Sequence, residues 1–512
     1  MAGTERTVLP PWTADFVVVG GGTSGAIVAA RLAEQGRSVI LIEAGPDFPS
    51  VEETPEPLRL GAFSEGRVTT RDFSWHWATE LTSPDGKPFV LYSGRTIGGG
   101  SSVNGQVWLR GLPADFDDVW APLGADDWTW SDVAPWYART DRDVDFPAAG
   151  GSGSVPAQRV PREKWHPLHS AFLAGFLGAG LQACANFNEP GARGVGAQPF
   201  NNIDGVRVST AFSHLLPARS LPGLRILSKH MADRVLFDGD RAVGVHVAAG
   251  DGSGFDVLAG QETILAAGAI GTPWLLLRSG VGDAEQLRLH GVPVVADVPA
   301  VGDGLREHPQ LAVKWRARAG KDLDFTARRS PVAVRLTAPG SAIADDLKMS
   351  VQTFTDDGGE GIQVAVFLML ALSSGSVGIS PDGVGKPPVV DIGFLRHPED
   401  LRRLREAIRL AVQVAETSEL AAFVGERITP TDEELGDDDA LDRWLLREVQ
   451  GTYHPSSTCA IGRVVDQAGL VTGLRGLRIV DASIMPDSIR ANLNATVSMI
   501  AERLADAVLS RS

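Results

Sequence analysis

The sequence predicts an α/β nucleotide-binding domain joined to an α+β domain built on an antiparallel sheet. Three observations carry this reading. A glycine-rich turn near the start sits between two apolar strand-like runs. From about 310 to 450, alternating strand-like stretches precede an amphipathic helical stretch. At 512 residues the chain is also too long for one ordinary core, so two or more domains are expected.

Residues 15–45 read "DFVVVGGGTSGAIVAARLAEQGRSVILIEAG". "FVVV" is an apolar run of the buried parallel-strand type. Gly20, Gly22 and Gly25 give the GxGxxG spacing, followed by a small-residue helix, "AIVAARLAEQG", that stops at Gly36. "SVILIE" is the second strand and ends on Glu43. Strand, glycine turn, helix, strand and acid in this order form a dinucleotide half-site. The glycines let the backbone approach a pyrophosphate at the helix N-terminus, and Glu43 is placed for a ribose hydroxyl. The negative charge of Glu43 opposes NADP. This motif alone leaves NAD and FAD both open.

The "LAVKWRARA", "AVRLTAP", "KMSVQTF" and "IQVAVFLML" stretches predict an antiparallel sheet with one wet and one buried face. "EDLRRLREAIRLAVQVAE" predicts a helix after it. "IQVAVFLMLAL" (362–372) is too short to span a bilayer and reads as a buried strand, and no stretch of 18 apolar residues occurs. "MAGTERTVLPPWTAD" lacks a basic-then-apolar leader pattern. Hydrophobic residues make up 43% and charged residues 21%, which suits a soluble globular chain. A net charge of −16 opposes nucleic acid or an anionic membrane as partner. Cys184 and Cys459 lie far apart and form no disulfide framework, so a cytoplasmic setting is expected. The acidic run "TDEELGDDDALD" (431–442) reads as a solvated helix start.

Further along come "SGRTIGGGSSVNGQVWLRG" (93–111), "DWTWSDVAPWYART" (127–140), "ETILAAGAIGTPWLLLRSGVG" (262–282) and "VGDGLREHP" (301–309). The last segment is "GLRIVDASIMPDSIRANLNATVSMIAERLADAVL" (476–509). "GTYHPSSTCAIG" (451–462) by itself admits a metal ligand, a nucleophile with its base, or a lone base. A zinc site needs three or four ligands at short spacing, and no second Cys or clustered His lies nearby in sequence, so no metal is expected. His166 and His169, in "HPLH", read as surface loop residues.

Taken together and in this order, from Asp15 to Leu509, these segments resemble the glucose–methanol–choline (GMC) oxidoreductase family of flavoenzymes. "GGGSSVN" and "RGLPADFDDVWAPLGADDW" are especially similar to its bacterial aryl-alcohol and hydroxymethylfurfural oxidase branch. The resemblance implies the GMC fold: an α/β FAD-binding Rossmann-like domain plus an α+β substrate-binding domain with an antiparallel sheet. It implies FAD-binding segments at 12–165, 200–312 and 451–512, with substrate-domain segments at 166–199 and 313–450. Gly20, Gly22, Thr23, Ser24, Gly25, Glu43 and Ala44 would hold the ADP half of FAD, and Val235 would offer a backbone contact to adenine. Arg95, Gly99, Ser101, Asn104 and Gly105 would run beside the pyrophosphate and flavin ring. Asp481 and Ala482 would touch the pyrophosphate and ribityl chain, with Asn494 and Thr496 near the flavin pyrimidine edge.

His454 matches the family's base position and Asn492 its second active-site position. Histidine suits removal of a hydroxyl proton near neutral pH, and an asparagine can hydrogen-bond a developing alkoxide. Several positions depart from the family pattern. Val103 stands where some members carry the histidine that binds FAD covalently, so non-covalent FAD is expected. Gly304 and Glu307 replace the usual Asn and Asp of "VGDGLREHP", a loop read as structural. Ser457 replaces a glycine, and Cys459 reads as packing. The implied reaction is oxidation of a small primary alcohol, aromatic or furanic, with oxygen as electron acceptor. A quinone or carrier-protein acceptor stays open, and a hydroxynitrile lyase or photodecarboxylase is the non-redox alternative. Phe354, Phe367 and Met369 are candidates for the cavity wall, against core packing.

Overall fold

A computed structural model describes residues 12–60, 70–148, 151–248, 254–321, 323 and 330–510. The leader reading of the first residues falls mostly on 1–11, outside the described residues. Two seven-stranded sheets organise the chain.

"FVVV" ends the strand Trp12–Val19, buried from Phe16 onward. Val39–Glu43 lies parallel on one side of it and Gly254–Leu265 on the other, with Leu224–Ser228 outside Val39–Glu43. Leu477–Ile479 pairs parallel with the end of Gly254–Leu265, bringing the last part of the chain back to the first. Parallel strands need helical crossovers and are covered on both faces, which is why "VVV" and "VILI" run without polar interruption. The start of Gly254–Leu265 turns antiparallel with Arg241–Ala248, which pairs with Met231–Asp238.

Two helices lie together on this sheet, Thr23–Glu34 and Leu493–Leu509. Glu502, with its side chain fully buried, locks them together. It accepts from Arg31 Nε at 2.9 Å and Nη2 at 2.7 Å, and it meets His214 Nε2 at 3.0 Å. Burial alone would raise the Glu502 pKa, yet the bonds from His214 and Arg31 hold it at about 2, against an ordinary 4.5. A depressed carboxylate stabilises the fold above its unfolded pKa and loses that contribution as pH falls from about 4.5 towards 2. The shift is equivalent to roughly 3 kcal/mol. Glu502→Gln is therefore expected to lower the melting temperature at pH 7, with the gap to wild type closing in melts run below pH 4.5. A gap that does not change with pH would mean that the carboxylate charge is not what stabilises this contact.

The second sheet runs in the order Val424–Thr429, Pro309–Ala317, Gly359–Leu368, Leu347–Asp356, Val332–Leu336, Gly194–Ala197, antiparallel throughout. Leu347, Met349 and Val351 bury into a core shared with Leu404, Ala407 and Ile408 of the amphipathic helix Pro398–Thr417. Lys348, Ser350 and Gln352, on the alternate face, line a cavity. The wet face read from the sequence is thus an internal wall.

Gly194–Ala197 joins the far edge of this sheet, and helix Pro167–Gly178 packs beneath it. That helix corrects the reading of "HPLH" as surface loop. His166 caps the helix, accepting from the Leu168 N–H at 3.1 Å, and His169 is buried. "TDEELGDDDALD" forms two helix starts capped by Thr431 and Asp437. No helix among the described residues is long and apolar enough to cross a membrane.

Candidate active site

A continuous cavity of about 990 Å³ is bordered by both sheets. Gly20, Gly22, Thr23, Ser24, Glu43 and Ala44 line one end of it. The glycine turns are required by close approach. A Cβ on Gly25 would sit 1.9 Å from the Gly20 carbonyl oxygen, and one on Gly99 would sit 2.6 Å from Gly22 Cα. The two glycine clusters therefore touch, and the Ser101 N–H donates to Thr23 Oγ1 at 3.1 Å across the join.

The Glu43 carboxylate accepts from the Gly21 N–H at 2.8 Å and the Gly45 N–H at 2.7 Å. A carboxylate has about four acceptor sites, so capacity remains for ligand hydroxyls. Burial pushes the Glu43 pKa up. Helices Thr23–Glu34 and Leu493–Leu509 both begin at the cavity without a side-chain cap and without an acid in the first turn. Uncapped N–H groups and the helix dipole favour an anion or an electron-rich group there.

Asp481 and Ala482 also line the cavity, but the Asp481 carboxylate is turned back. It accepts from the Gly268 N–H at 2.9 Å, Thr272 Oγ1 at 2.6 Å and the Ser483 N–H at 2.8 Å. Three of its roughly four acceptor sites are thus taken within the protein, which leaves little of this side chain for a ligand. Asn494 differs: both of its side-chain amide atoms are buried without a protein partner among the described residues, which marks a ligand-facing amide. Gly99, Asn104 and Gly105 border the middle of the cavity beside Val103.

Five expected cofactor residues stand behind the wall. Gly25 packs on the Gly20 turn, and the Ser101 hydroxyl donates to the Gly98 carbonyl at 2.6 Å. The Arg95 guanidinium lies over the Trp75 ring at 4.7 Å, and Trp75 is the residue that reaches the cavity. The Val235 N–H already donates to Ser279 Oγ at 2.8 Å, and Met231 and Ala232 of the same strand line the cavity in its place. The Thr496 hydroxyl is paired with the Tyr137 hydroxyl at 2.5 Å. Phe367 and Met369 reach the wall, whereas Phe354 does not; Lys314 Nζ sits over its ring at 5.3 Å.

At the other end of the cavity His454 and Asn492 meet, with His454 Nε2 3.1 Å from Asn492 Nδ2. Their hydrogen-bond roles are fixed from both sides. Lys348 Nζ only donates and lies 2.8 Å from Asn492 Oδ1, so the amide N–H faces His454 and Nε2 accepts. On the other side the Ile489 carbonyl only accepts and lies 2.9 Å from His308 Nε2, which must carry its proton. His308 Nδ1 then accepts from His454 Nδ1–H at 3.0 Å. Thr452 Oγ1, 2.8 Å from the same Nδ1, donates to Glu307 Oε1 at 3.0 Å. Both routes put the His454 proton on Nδ1 and leave Nε2 as the acceptor at the cavity wall, its lone pair engaged by the Asn492 N–H.

Burial first, then the neighbouring His308 and Lys348, hold the His454 pKa well below 6.5, so its neutral form dominates. Burial likewise brings His308 down to about 4 and raises Glu307 to about 7. Glu307 accepts the backbone N–H groups of His308 at 2.7 Å and His454 at 2.8 Å, clamping the two segments together. "VGDGLREHP", read as structural, thus supplies both groups that orient the base.

Glu307, His308 and His454 form the one cluster among the described residues with metal-like spacing, which the sequence could not show. Its atoms are already matched within the protein as described. Cys459 is fully buried, and burial pushes its thiol up. Ser457, where the resemblance expects glycine, has φ 74 and is buried, a conformation that costs a non-glycine residue about 1 kcal/mol. Arg207, missed in the sequence, is buried and holds the 101–104 turn. Its guanidinium donates to the Ser101 carbonyl at 3.0 Å, Asn104 Oδ1 at 2.5 Å and the Asn104 carbonyl at 2.7 Å.

Residues 14–310 match the N-terminal part of the GMC oxidoreductase family and residues 371–501 its C-terminal part. The chain belongs to the GMC oxidoreductase family. It is 35% identical to a 5-(hydroxymethyl)furfural oxidase of Methylovorus sp. (strain MP688), covering 97% of this chain and 99% of that protein. It is 30% identical to an oxygen-dependent choline dehydrogenase of Brucella anthropi, over 98% and 96% of the two chains. The crystal structure of pyridoxine 4-oxidase from Mesorbium loti superposes with a TM-score of 0.88 at 27% identity, over 96% of this chain and 98% of that one. As a GMC member the chain is an oxidoreductase, and FAD is the group its cavity suits. Touching glycine turns, two uncapped helix N-termini, Glu43 with spare acceptor capacity and the unpartnered Asn494 amide all fit a dinucleotide ending in an electron-poor ring.

Proposed function

We propose that the protein is an FAD-dependent oxidase that converts a primary alcohol on an aromatic or furanic ring to the aldehyde. The observation that carries this is the unprotonated His454 Nε2 paired with the Asn492 N–H at the cavity wall, in a relay determined at both ends. An alcohol oxygen entering between the two gives its proton to Nε2 and takes the Asn492 N–H in exchange. When bound, an oxidised flavin supplies a hydride acceptor for the carbinol carbon, and oxygen takes the electrons on to hydrogen peroxide.

The residues around that ring do the rest. His454 Nε2 takes the hydroxyl proton, an assistance worth about 10²–10⁴ in rate. The Asn492 N–H donates to the oxygen that gives it up. Phe367, near Lys348, and Tyr92, whose ring lies 5.7 Å from that of Tyr453 beside the base, offer apolar walls for a ring and limit water at the reacting carbon. Oxygen as acceptor is supported by the hydroxymethylfurfural oxidase relative. Val103, which has no ring nitrogen to form a bond, supports dissociable FAD. Two buried free thiols support a cytoplasmic setting.

The test is anaerobic addition of benzyl alcohol or 5-(hydroxymethyl)furfural to the yellow protein. Bleaching, then recovery in air with stoichiometric peroxide, is expected, and acid precipitation should leave all the flavin in the supernatant. Bleaching that air does not reverse would exclude the oxidase. Flavin remaining in the pellet would exclude dissociable FAD.

A further inference from the structure

The face of strand Leu347–Asp356 that lines the cavity carries Lys348, Ser350 and Gln352, where an aryl-alcohol pocket calls for apolar residues. Lys348 is 8% exposed and lies beside the proton-removing pair through its 2.8 Å bond to Asn492 Oδ1. That bond uses one of its three N–H donors. No carboxylate pairs with it among the described residues, and the charge acting on it is the like charge of Arg335. A buried ammonium without a counter-ion is costly unless a ligand supplies the charge. Burial accordingly brings its pKa down to about 7, and an arriving anion would restore the charged form. The wall has a second unmet polar atom, Gln198 Oε1, buried with no protein partner while the Gln198 amide N–H donates to the Ser330 carbonyl.

We infer that the substrate is a hydroxymethyl arene or furan bearing a carboxylate, which Lys348 binds while the carbinol meets His454 and Asn492. This rests on the alcohol-oxidase reading and names the substrate class for the same site. The placement works by charge. A carboxylate supplies the missing counter-ion, a neutral alcohol leaves the ammonium unpaired, and a quaternary ammonium alcohol meets a like charge. Phe367, whose ring lies 5.8 Å from Lys348 Nζ, flanks the same position.

The experiment compares kcat/KM for 3- and 4-(hydroxymethyl)benzoate with the matching neutral (hydroxymethyl)benzamides and with choline, using FAD-loaded enzyme. The carboxylates are expected to exceed the amides by about 10- to 100-fold, the range of a charge-assisted hydrogen bond, with choline the poorest. Lys348→Met should bring the carboxylate-to-amide ratio close to one, and Lys348→Arg should restore most of it. A wild-type ratio near one for both isomers, or a Met variant that keeps the preference, overturns the inference and leaves the oxidase reading standing. Failure of every alcohol in the panel to bleach the flavin overturns both.

Discussion

His454→Ala is expected to lower the rate of anaerobic flavin reduction by about 10²–10⁴-fold while the protein stays yellow. The separation of effects follows from the geometry. His454 hydrogen-bonds Thr452, His308 and Asn492, none of which belongs to the glycine turns or to Glu43 at the dinucleotide end. Stopped-flow reduction with a saturating alcohol reads the chemical step, and the 450 nm absorbance reads occupancy. The pH profile adds a sign. Burial, His308 and Lys348 disfavour the imidazolium, so the base remains neutral well below 6.5. Lys348 and Glu307 both lie at about 7 beside this base, so the fall from pH 8 to 6.5 reads those groups. His454 should add no midpoint of its own near 6.5, where an unperturbed imidazole would be half protonated. A rate near wild type in the alanine variant would remove His454 from this role.

Gly25→Ala is expected to give protein without flavin. The added methyl would lie 1.9 Å from the Gly20 carbonyl oxygen and 3.2 Å from Ala266 Cβ. Backbone cannot yield as a flexible side chain would, so the helix Thr23–Glu34 must move away from its turn. That displaces the N–H groups facing the pyrophosphate position. Gly36 is the control, with φ 74 and open space around its Cβ position. Gly36→Ala should cost about 1 kcal/mol in stability and leave the protein yellow. Far-ultraviolet circular dichroism separates loss of cofactor from loss of fold. A yellow Gly25→Ala protein would show that the turn has slack that its contacts deny.

The legibility of this site in the sequence followed chemical range. The GxGxxG turn, Glu43 and the strands around them are a local pattern, and each falls where the spacing puts it. The base and its asparagine were recognised because "GTYHPSSTCAIG" and "NLN" resemble family segments. What orients the base was not legible. His308 meets His454 across 146 residues, and it lies in a loop whose departures from the family pattern pointed away from function. Val235 and Thr496 stand behind the cavity wall, and their partners Ser279 and Tyr137 were not legible because a backbone contact, or the turn of one helix, leaves no side-chain signal to register on. Lys348 was read as part of a strand with a wet face. Alternation shows that one side is polar, and only the tertiary arrangement shows that this side faces a cavity.

That alternation separates two tasks along one strand. Along 347–352 the odd positions, Leu347, Met349 and Val351, anchor the sheet to its helix, and the even ones face the cavity. A change at 350 or 352 can therefore alter what the cavity accepts while the odd-numbered anchors keep the sheet on its helix, whereas 348 is doubly tied, because it also holds the Asn492 amide.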